Sequence, residues 1–307
     1  MKYVVSISGG LGSAEALKRA IEKFGKENVI AVFADVKGTG EHAWFGMPTI
    51  SKLLHERFGG ESRDTYRFIW QLSHHFDIDI ERIGTSESIW DVFARRKALR
   101  LVVGSAFYCP ASEDLKRAVI VDWVKKNLVA GEFTIVLGMA WDEEHRTKRS
   151  EFYWRKALGW DVNVISLNAE KPYASNEASA LYFLQNGIEI PSAYAENMEH
   201  NNCGGGCTQA GQGHYATLYL KRPLVYWYWA WMERMVTRVI GHDYTILKDT
   251  RNGETKRLSL YDFVERIEKG DYRAKDGAAC ACFGNIEQLE IKVTIPKNQL
   301  SLFGAQS

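Results

Sequence analysis

The sequence predicts an α/β fold in which a parallel sheet carries an anion-binding loop and a smaller, mostly helical region follows. Three observations lead there. The apolar run Tyr3-Val4-Val5 enters Ser6-Ile7-Ser8-Gly9-Gly10-Leu11-Gly12-Ser13, and Leu17, Ala20, Ile21 and Phe24 then share one helical face. That reads as strand, tight turn, helix. Val29 to Ala34 is a continuous apolar run ending at Asp35, as expected of a strand buried on both faces. A strand–helix–strand unit with so short a crossover requires parallel pairing and a right-handed connection. Finally, 307 residues at 46% hydrophobic and 25% charged give a sizeable core, in one large domain with an appendage or in two domains.

The turn after the first strand gathers free backbone N–H groups at a helix N-terminus, where an anion is favoured. Gly9 and Gly10 let the backbone approach a phosphate closely, and Ser8 and Ser13 add hydroxyl donors. No Gly-Lys-Ser/Thr follows and no G-x-G-x-x-G is present, so the turn is neither a Walker loop nor a dinucleotide fingerprint. An ordinary glycine-rich turn would share its composition. The pattern Ser-Gly-Gly-x-x-Ser over residues 8–13 resembles the PP-loop ATP pyrophosphatases, adenine nucleotide alpha hydrolases of HUP-like fold. The resemblance implies ATP and Mg2+ as cofactors, with cleavage between the α and β phosphates. It implies nucleotide contacts from Ser8, Gly9, Gly10, Leu11, Gly12 and Ser13, and from Phe33 and Asp35 at the carboxyl end of the second strand. Asp35 could equally cap a turn. Gly12 departs from the pattern, since many relatives carry Asp or Lys there.

Residues 36–63 hold Gly38, Gly40, Gly46, Gly59 and Gly60 and read as an insertion or flexible flap. Asp64-Thr65-Tyr66-Arg67-Phe68 opens a helix towards Phe76, with His74 and His75 near its end as solvated residues. Trp90, Val92, Phe93 and Leu99 suggest another helix. Ser112 is expected to cap a further helix, Leu115 to Leu128, with Glu113 and Asp114 in its first turn. Cys109 lies before it. In sulfonucleotide reductases and related DNA phosphorothioation enzymes a Cys-x-x-x-Leu-Lys pattern begins this helix; the spacing from Cys109 to Leu115-Lys116 is longer, leaving Cys109 as ligand or as buried spectator thiol. Phe133 to Leu137 is a strand leading into Gly138-Met139-Ala140-Trp141-Asp142-Glu143-Glu144-His145-Arg146. That segment resembles the second nucleotide-site segment of the phage and bacterial phosphoadenosine phosphosulfate reductase-like family. There Arg146 would pair with phosphate as a catalytic residue and Glu143 or Glu144 would hold magnesium; a solvated charged loop is the alternative. Val162 to Leu167 is a further strand, and Asn176 is expected to cap a helix stopping at Asn186-Gly187.

The second half carries Asn201-Asn202-Cys203-Gly204-Gly205-Gly206-Cys207 and, far downstream, Cys280-Ala281-Cys282. Two close thiol pairs brought together would make a four-cysteine site, Cys203, Cys207, Cys280 and Cys282, suited to Zn2+ or to an iron–sulfur cluster (4Fe–4S). Spacing does not decide between them. An Asn-Asn-Cys-Gly-Gly-x-Cys block and a late Cys-x-Cys-Phe also recur in the phage-type family. Pro223 starts and Gly241 ends a helix whose aromatics, Tyr226 to Trp231, cover more than one face. Burial on several sides is expected, with a base-stacking surface as the alternative. Asn252-Gly253 marks a hairpin, and Ser259-x-x-Asp262 resembles a capping box. Leu289 to Ile295 reads as a strand. The expected division is 1–190 for the pyrophosphatase-like domain, 191–296 for the cysteine-rich helical region and 297–307 for a tail.

In that tail, Gln299-Leu300-Ser301-Leu302-Phe303 presents apolar anchors and one amide, the composition of a docking peptide. It resembles the bacterial sliding-clamp-binding motif and implies the DNA polymerase sliding clamp as a partner, with DNA or a nucleotide as substrate. A net charge of +1 gives no independent support for nucleic acid. No apolar stretch approaches the ~20 residues that span a bilayer, and no leader pattern precedes the first strand, so a cytoplasmic protein without a membrane partner is expected. Three functions compete. An ATP-dependent adenylating enzyme in DNA modification, with or without sulfur transfer, leads. A sulfonucleotide reductase would need a mobile terminal cysteine, and the tail has none. A non-catalytic clamp binder with a vestigial nucleotide fold is the third.

Overall fold

Strand β1 (Lys2–Ile7) pairs in parallel with two neighbours, β2 (Val29–Asp35) on one side and β6 (Phe133–Val136) on the other. In the computed structural model, which describes residues 1–42, 44–103, 106–198, 201–241, 244–250 and 253–273, these belong to a five-stranded parallel sheet. Its order is β3-β2-β1-β6-β7, with β3 at Ile80–Gly84 and β7 at Asn163–Ile165. The chain runs outward from β1 through β2 to β3, then returns to the far side of β1. The reversal creates a crevice at the carboxyl ends of β1 and β6.

The sheet is buried on both faces, which is why β2 is apolar without alternation. Val5, Ile7, Ala31 and Phe33 face α1 (Leu11–Phe24), α3 (Arg63–Phe76) and α8 (Asn176–Gln185). Val4, Val32, Ala34 and Ile135 face α6 (Ala118–Asn127) and α7 (Glu144–Leu158). A third core lies beyond the sheet. It joins α4 (Ile89–Arg96) to α9 (Gln212–Lys221), α10 (Pro223–Ile240) and α11 (Leu260–Glu268). Val36, Phe45, Trp90, Phe93 and Leu115 contribute to it, so this core draws on chain from both sides of residue 190. Tyr226, Tyr228 and Trp229 are buried in it, whereas Trp227 is 39% exposed. The aromatics of α10 are therefore chiefly core, and only Trp227 reaches solvent among the four.

Three local expectations change. The stretch from 36 to 63 contains α2 (Pro48–Phe58), held down by buried Ser51 and His55, with Leu54 and Phe58 against the third core. The helix placed after Ser112 starts earlier: Cys109 is its N-cap and Pro110 its first residue. It runs as α5 (Pro110–Ser112), a π turn (Glu113–Arg117) and α6, because proline with its preset φ fits the first helical position. Ser175, not Asn176, caps α8, accepting the Ala178 amide at 3.1 Å. The strands expected to form a hairpin pair as β8 (Leu247–Asp249) and β9 (Lys256–Leu258), antiparallel, and Ser259 caps α11. A second hairpin, β4 (Leu101–Val103) with β5 (Ala106–Tyr108), has no counterpart in the sequence reading. Cys280, Cys282, the strand expected at 289–295 and the motif at Gln299–Phe303 lie outside the described residues.

Candidate functional site

The glycine loop leaves β1 at the sheet reversal. Gly9 adopts φ 77°, which favours glycine, and any Cβ on it would overlap the Thr65 methyl. Gly10 is the N-cap of α1, and no side chain caps that helix from within the loop. The Ser13 hydroxyl donates to the Gly10 carbonyl at 2.9 Å and accepts from the Ser8 amide at 3.1 Å and the Ser8 hydroxyl at 3.2 Å. Ser13 is thereby the brace of the loop, and Ser8 stands exposed at its rim. No acceptor among the described residues takes the amides of Gly9, Gly10 or Gly12. They remain at the positive end of a 14-residue helix.

The loop after β6 meets it directly. A Cβ on Gly12 would lie 2.7 Å from the Gly138 carbonyl oxygen, and a Cβ on Gly138 would lie 2.6 Å from that of Gly12. Two glycines are thus required for the backbones to touch at the crevice. Asn168, just past β7 and 2% exposed, donates from Nδ2 to the Gly12 carbonyl at 2.8 Å. Its Oδ1 is buried with no donor among the described residues, leaving an acceptor beside the loop. The Ser166 hydroxyl donates to the carbonyls of Leu137 and Met139 and holds the β6 loop in place. From the far side, the Tyr194 hydroxyl accepts the Leu11 amide at 2.9 Å.

The other predicted contacts are engaged in the fold. Asp35 is 7% exposed at the end of β2. Its carboxylate accepts from the Tyr66 hydroxyl at 2.7 Å, from the Lys37 amide at 3.0 Å and from Arg82 Nε at 2.7 Å on the neighbouring strand. Burial, followed by the Asp35 charge, drives the Tyr66 phenol far above its ordinary pKa, so it stays a donor. Phe33 is 2% exposed, edge-on to Tyr66. The Arg146 guanidinium pairs with Glu143 one turn back, and Glu143 also accepts the Ala140 amide at 3.1 Å. Next to this turn Trp141, 57% exposed, stacks on Tyr173, 48% exposed, with ring centroids 5.5 Å apart.

The cysteine loop lies close to the glycine loop despite nearly two hundred intervening residues. Thr65, whose methyl fills the space beside Gly9, accepts from Asn201 Nδ2 at 2.8 Å. Glu61, two residues into the same α2–α3 turn as Gly59 and Gly60, accepts the Cys203 amide at 2.6 Å and pairs with Lys116 at 3.0 Å. Lys116 comes from the π turn that follows Cys109, a type of distortion frequent at functional sites. Burial raises the Cys109 thiol pKa, and the Ser112 and Ala111 amides pull against that rise. Within Cys203–Cys207 the glycines meet two needs. Cys203, Gly204 and Gly205 take φ of 53°, 73° and 102°, and Gly206 would overlap the Trp229 indole if it bore a side chain. The Gln209 amide donates to Cys207 Sγ at 3.4 Å. His214 Nε2 donates to the Gly205 carbonyl at 2.6 Å, and burial lowers the ring's pKa to about 4, so it is neutral. Among the described residues, no group of three or more His, Cys, Asp and Glu side chains converges on a point.

Sequence reasoning placed Gly138 in the second nucleotide-site segment but not its contact with Gly12, and it missed Asn168, Tyr194 and Thr65 as neighbours of the loop, because each is brought there by tertiary packing. No helix among the described residues is long and apolar enough to cross a membrane. In comparisons with known proteins, no family model, no curated protein and no solved structure matches the chain.

Proposed function

We propose that the chain is an ATP-dependent adenylating enzyme acting in DNA modification. The carrying observation is the set of amides at Gly9, Gly10 and Gly12 that find no acceptor among the described residues, at the sheet reversal and at a helix N-terminus. A substrate oxygen attacks the α phosphorus of ATP, the bond to the bridging oxygen breaks, and pyrophosphate leaves with that oxygen. A sulfur or nitrogen nucleophile then displaces AMP from the adenylated group. The loop amides stabilise negative charge on the phosphates in the transition state, and Ser8 at the rim adds a hydroxyl donor. Arg146 turns from Glu143 to the phosphates, which leaves the Glu143 carboxylate for Mg2+. Asn168 Oδ1 offers an acceptor for a donor on the nucleotide or substrate.

Cys203 and Cys207, on one loop with an amide aimed at sulfur, fit half of a four-thiolate site that Cys280 and Cys282 would complete. Zinc there would brace the fold, and a [4Fe–4S] cluster would hold sulfur. Gln299–Phe303 would dock the enzyme on a sliding clamp at DNA. The test is pyrophosphate release from ATP by the whole chain: Ser8→Ala and Gly10→Val are expected to abolish it and to leave clamp binding intact. Unchanged turnover in both variants would remove the loop from the mechanism. A second reading, a clamp binder without turnover, is favoured by the Tyr194 hydroxyl already seated on the Leu11 amide. No pyrophosphate from wild-type protein, with clamp binding lost on truncation after Asn298, would select it.

A further inference from the structure

The turn between α2 and α3, with the first turn of α3, is held from two sides. On one side stands the glycine loop. A Cβ on Gly9 would lie 2.3 Å from Thr65 Cγ2, so the Gly9 backbone rests directly on that methyl. On the other side stands the cysteine loop. Asn201 Nδ2 donates to Thr65 Oγ1 at 2.8 Å, and Glu61 accepts the Cys203 amide at 2.6 Å. A Cβ on Gly204 would lie 3.4 Å from the Gly60 carbonyl oxygen, so backbone meets backbone there as well. Glu61, Thr65 and Asn201 are all buried, where hydrogen bonds fix position more firmly than at a surface.

Thr65 joins the two sides through one side chain. Its Cβ carries both the methyl under Gly9 and the hydroxyl that Asn201 holds, and a β-branched residue has few rotamers. The hydroxyl also shares a hydrogen bond with Ser62 Oγ, the N-cap of α3, at 2.8 Å. Any rotation that frees the hydroxyl swings the methyl away from Gly9. The bond to Thr65 is the one hydrogen bond of the Asn201 side chain among the described residues. The cysteine loop itself is pinned at its far end. His214 holds the Gly205 carbonyl, the Tyr215 hydroxyl accepts from the Cys207 amide at 3.2 Å and donates to its carbonyl at 3.1 Å, and Gly206 lies against the Trp229 indole. Residues 205–207 are thereby fixed to α9 and α10, while Asn201, Cys203 and Gly204 rest on the α2–α3 turn.

We propose that Thr65 is a positioning residue for the phosphate-binding amides and that Asn201 sets it from the cysteine loop, so that the glycine loop grips a nucleotide fully only while the cysteine loop is seated. The inference rests on nucleotide binding at the glycine loop and adds a control over it. A change at the Cys203 thiol is taken up at the unpinned end of its loop, at Asn201, and reaches Gly9 through Thr65. By linkage, nucleotide bound at the glycine loop favours the seated cysteine loop in return.

The test uses the full chain. Calorimetry measures binding of a non-hydrolysable ATP analogue with Mg2+. Hydrogen exchange without nucleotide follows the bonded loop amides of Ser8, Leu11 and Ala14. Thr65→Ser keeps the hydroxyl and removes the methyl beside Gly9; it should weaken binding by about tenfold or more, because displaced phosphate donors are costly. Asn201→Ala leaves the methyl but frees it to turn, and should weaken binding about three- to tenfold. Thr65→Val, which keeps the methyl and has no acceptor, should match Asn201→Ala and decides if that variant fails to fold. The double variant Thr65→Ser/Asn201→Ala should bind as Thr65→Ser does, since without the methyl Asn201 has nothing to set. Tyr226→Phe is the control. It removes a buried hydrogen bond to the Leu260 carbonyl, 2.6 Å long, in the third core, and should lower stability without moving affinity or exchange. Variants that bind as wild type does, or lose no more affinity than Tyr226→Phe, would overturn the proposal and leave the nucleotide reading standing. If wild-type protein binds no analogue, the nucleotide reading fails and exchange alone decides. Faster exchange at the three amides in Thr65→Ser and Asn201→Ala then upholds the coupling, and unchanged exchange overturns it.

Discussion

Alanine at position 12 should drive apart the two loops that meet at the sheet reversal. Its Cβ would stand 2.7 Å from the Gly138 carbonyl oxygen, and ordinary contact begins at 3.4 Å, so the backbones must part by about 0.7 Å. The obstacle is backbone on both sides and cannot rotate away. Overpacking of this kind costs about 1–3 kcal/mol. Alanine returns about 0.5–1 kcal/mol in helix propensity at the start of α1. At the middle of both ranges the net loss is about 1 kcal/mol, which lowers Tm by roughly 2 °C in a chain of this size. The separation also stretches the 2.8 Å bond from Asn168 to the Gly12 carbonyl. Gly138→Ala meets the same obstacle from the other side, with its Cβ 2.6 Å from the Gly12 oxygen and 2.7 Å from the Ser13 nitrogen. One retreat relieves both substitutions, so the double variant should be less destabilised than the sum of the singles by at least about 0.5 kcal/mol. Chemical denaturation of the four proteins measures the cycle. Pyrophosphate release, measured alongside, should fall about tenfold or more in each single variant, because small misplacements of phosphate donors are expensive. An unchanged Tm in Gly12→Ala together with strict additivity would refute the reasoning.

Glu233, buried on α10, accepts the Ile246 amide at 2.7 Å and the Leu260 amide at 2.8 Å, and burial raises its pKa from 4.5 to about 7. The native state thus holds this proton more tightly than the unfolded chain, so its contribution is complete below pH 4.5 and is lost as pH rises through about 7. At most about 3 kcal/mol is at stake, and Glu233→Gln should remove this slope; equal slopes for both proteins between pH 5 and 8 would reject the assignment. Gly206→Ala places a methyl inside the Trp229 indole and should cost about 3 kcal/mol or more, read as loss of soluble folded protein or a large fall in denaturation midpoint; a near-neutral effect would contradict the packing described. Trp141→Ala, at an exposed stacked pair, should change stability by under about 0.5 kcal/mol, read from the denaturation midpoint; a loss of about 2 kcal/mol or more would contradict the exposure described.

Much of the sheet was legible because its strands obey simple rules. β1, α1 and β2 show unbroken apolar runs and one clear helical face, and the connection between them admits a single handedness. α2 was illegible because its pattern is inverted. Ile50 and Leu53 are 50% and 67% exposed, while Ser51 and His55 are 1% exposed. His55 survives burial as a neutral ring, its pKa lowered to about 4 chiefly by desolvation, between the Tyr228 hydroxyl and the Lys37 carbonyl. No periodicity in the sequence announces that arrangement. At the candidate site, the glycine turn could be read from composition and order, but not the residues that close on it. Thr65, Gly138, Asn168 and Tyr194 arrive from four separate elements, and only the folded chain shows that Gly12 is glycine to admit Gly138. The nearness of the cysteine loop to the glycine loop has the same origin: it depends on Thr65 in the first turn of α3 and on Glu61 in the turn before it, within the stretch that the sequence presents as a plain insertion.

A crystal structure of the whole chain with a non-hydrolysable ATP analogue and Mg2+ tests the central proposal most directly. The account predicts phosphate oxygens within hydrogen-bonding distance of the Gly9, Gly10 and Gly12 amides, with the Tyr194 hydroxyl displaced from or shared on the Leu11 amide. An analogue bound elsewhere, with those amides still facing empty crevice and Tyr194 unmoved at saturating nucleotide, would contradict it.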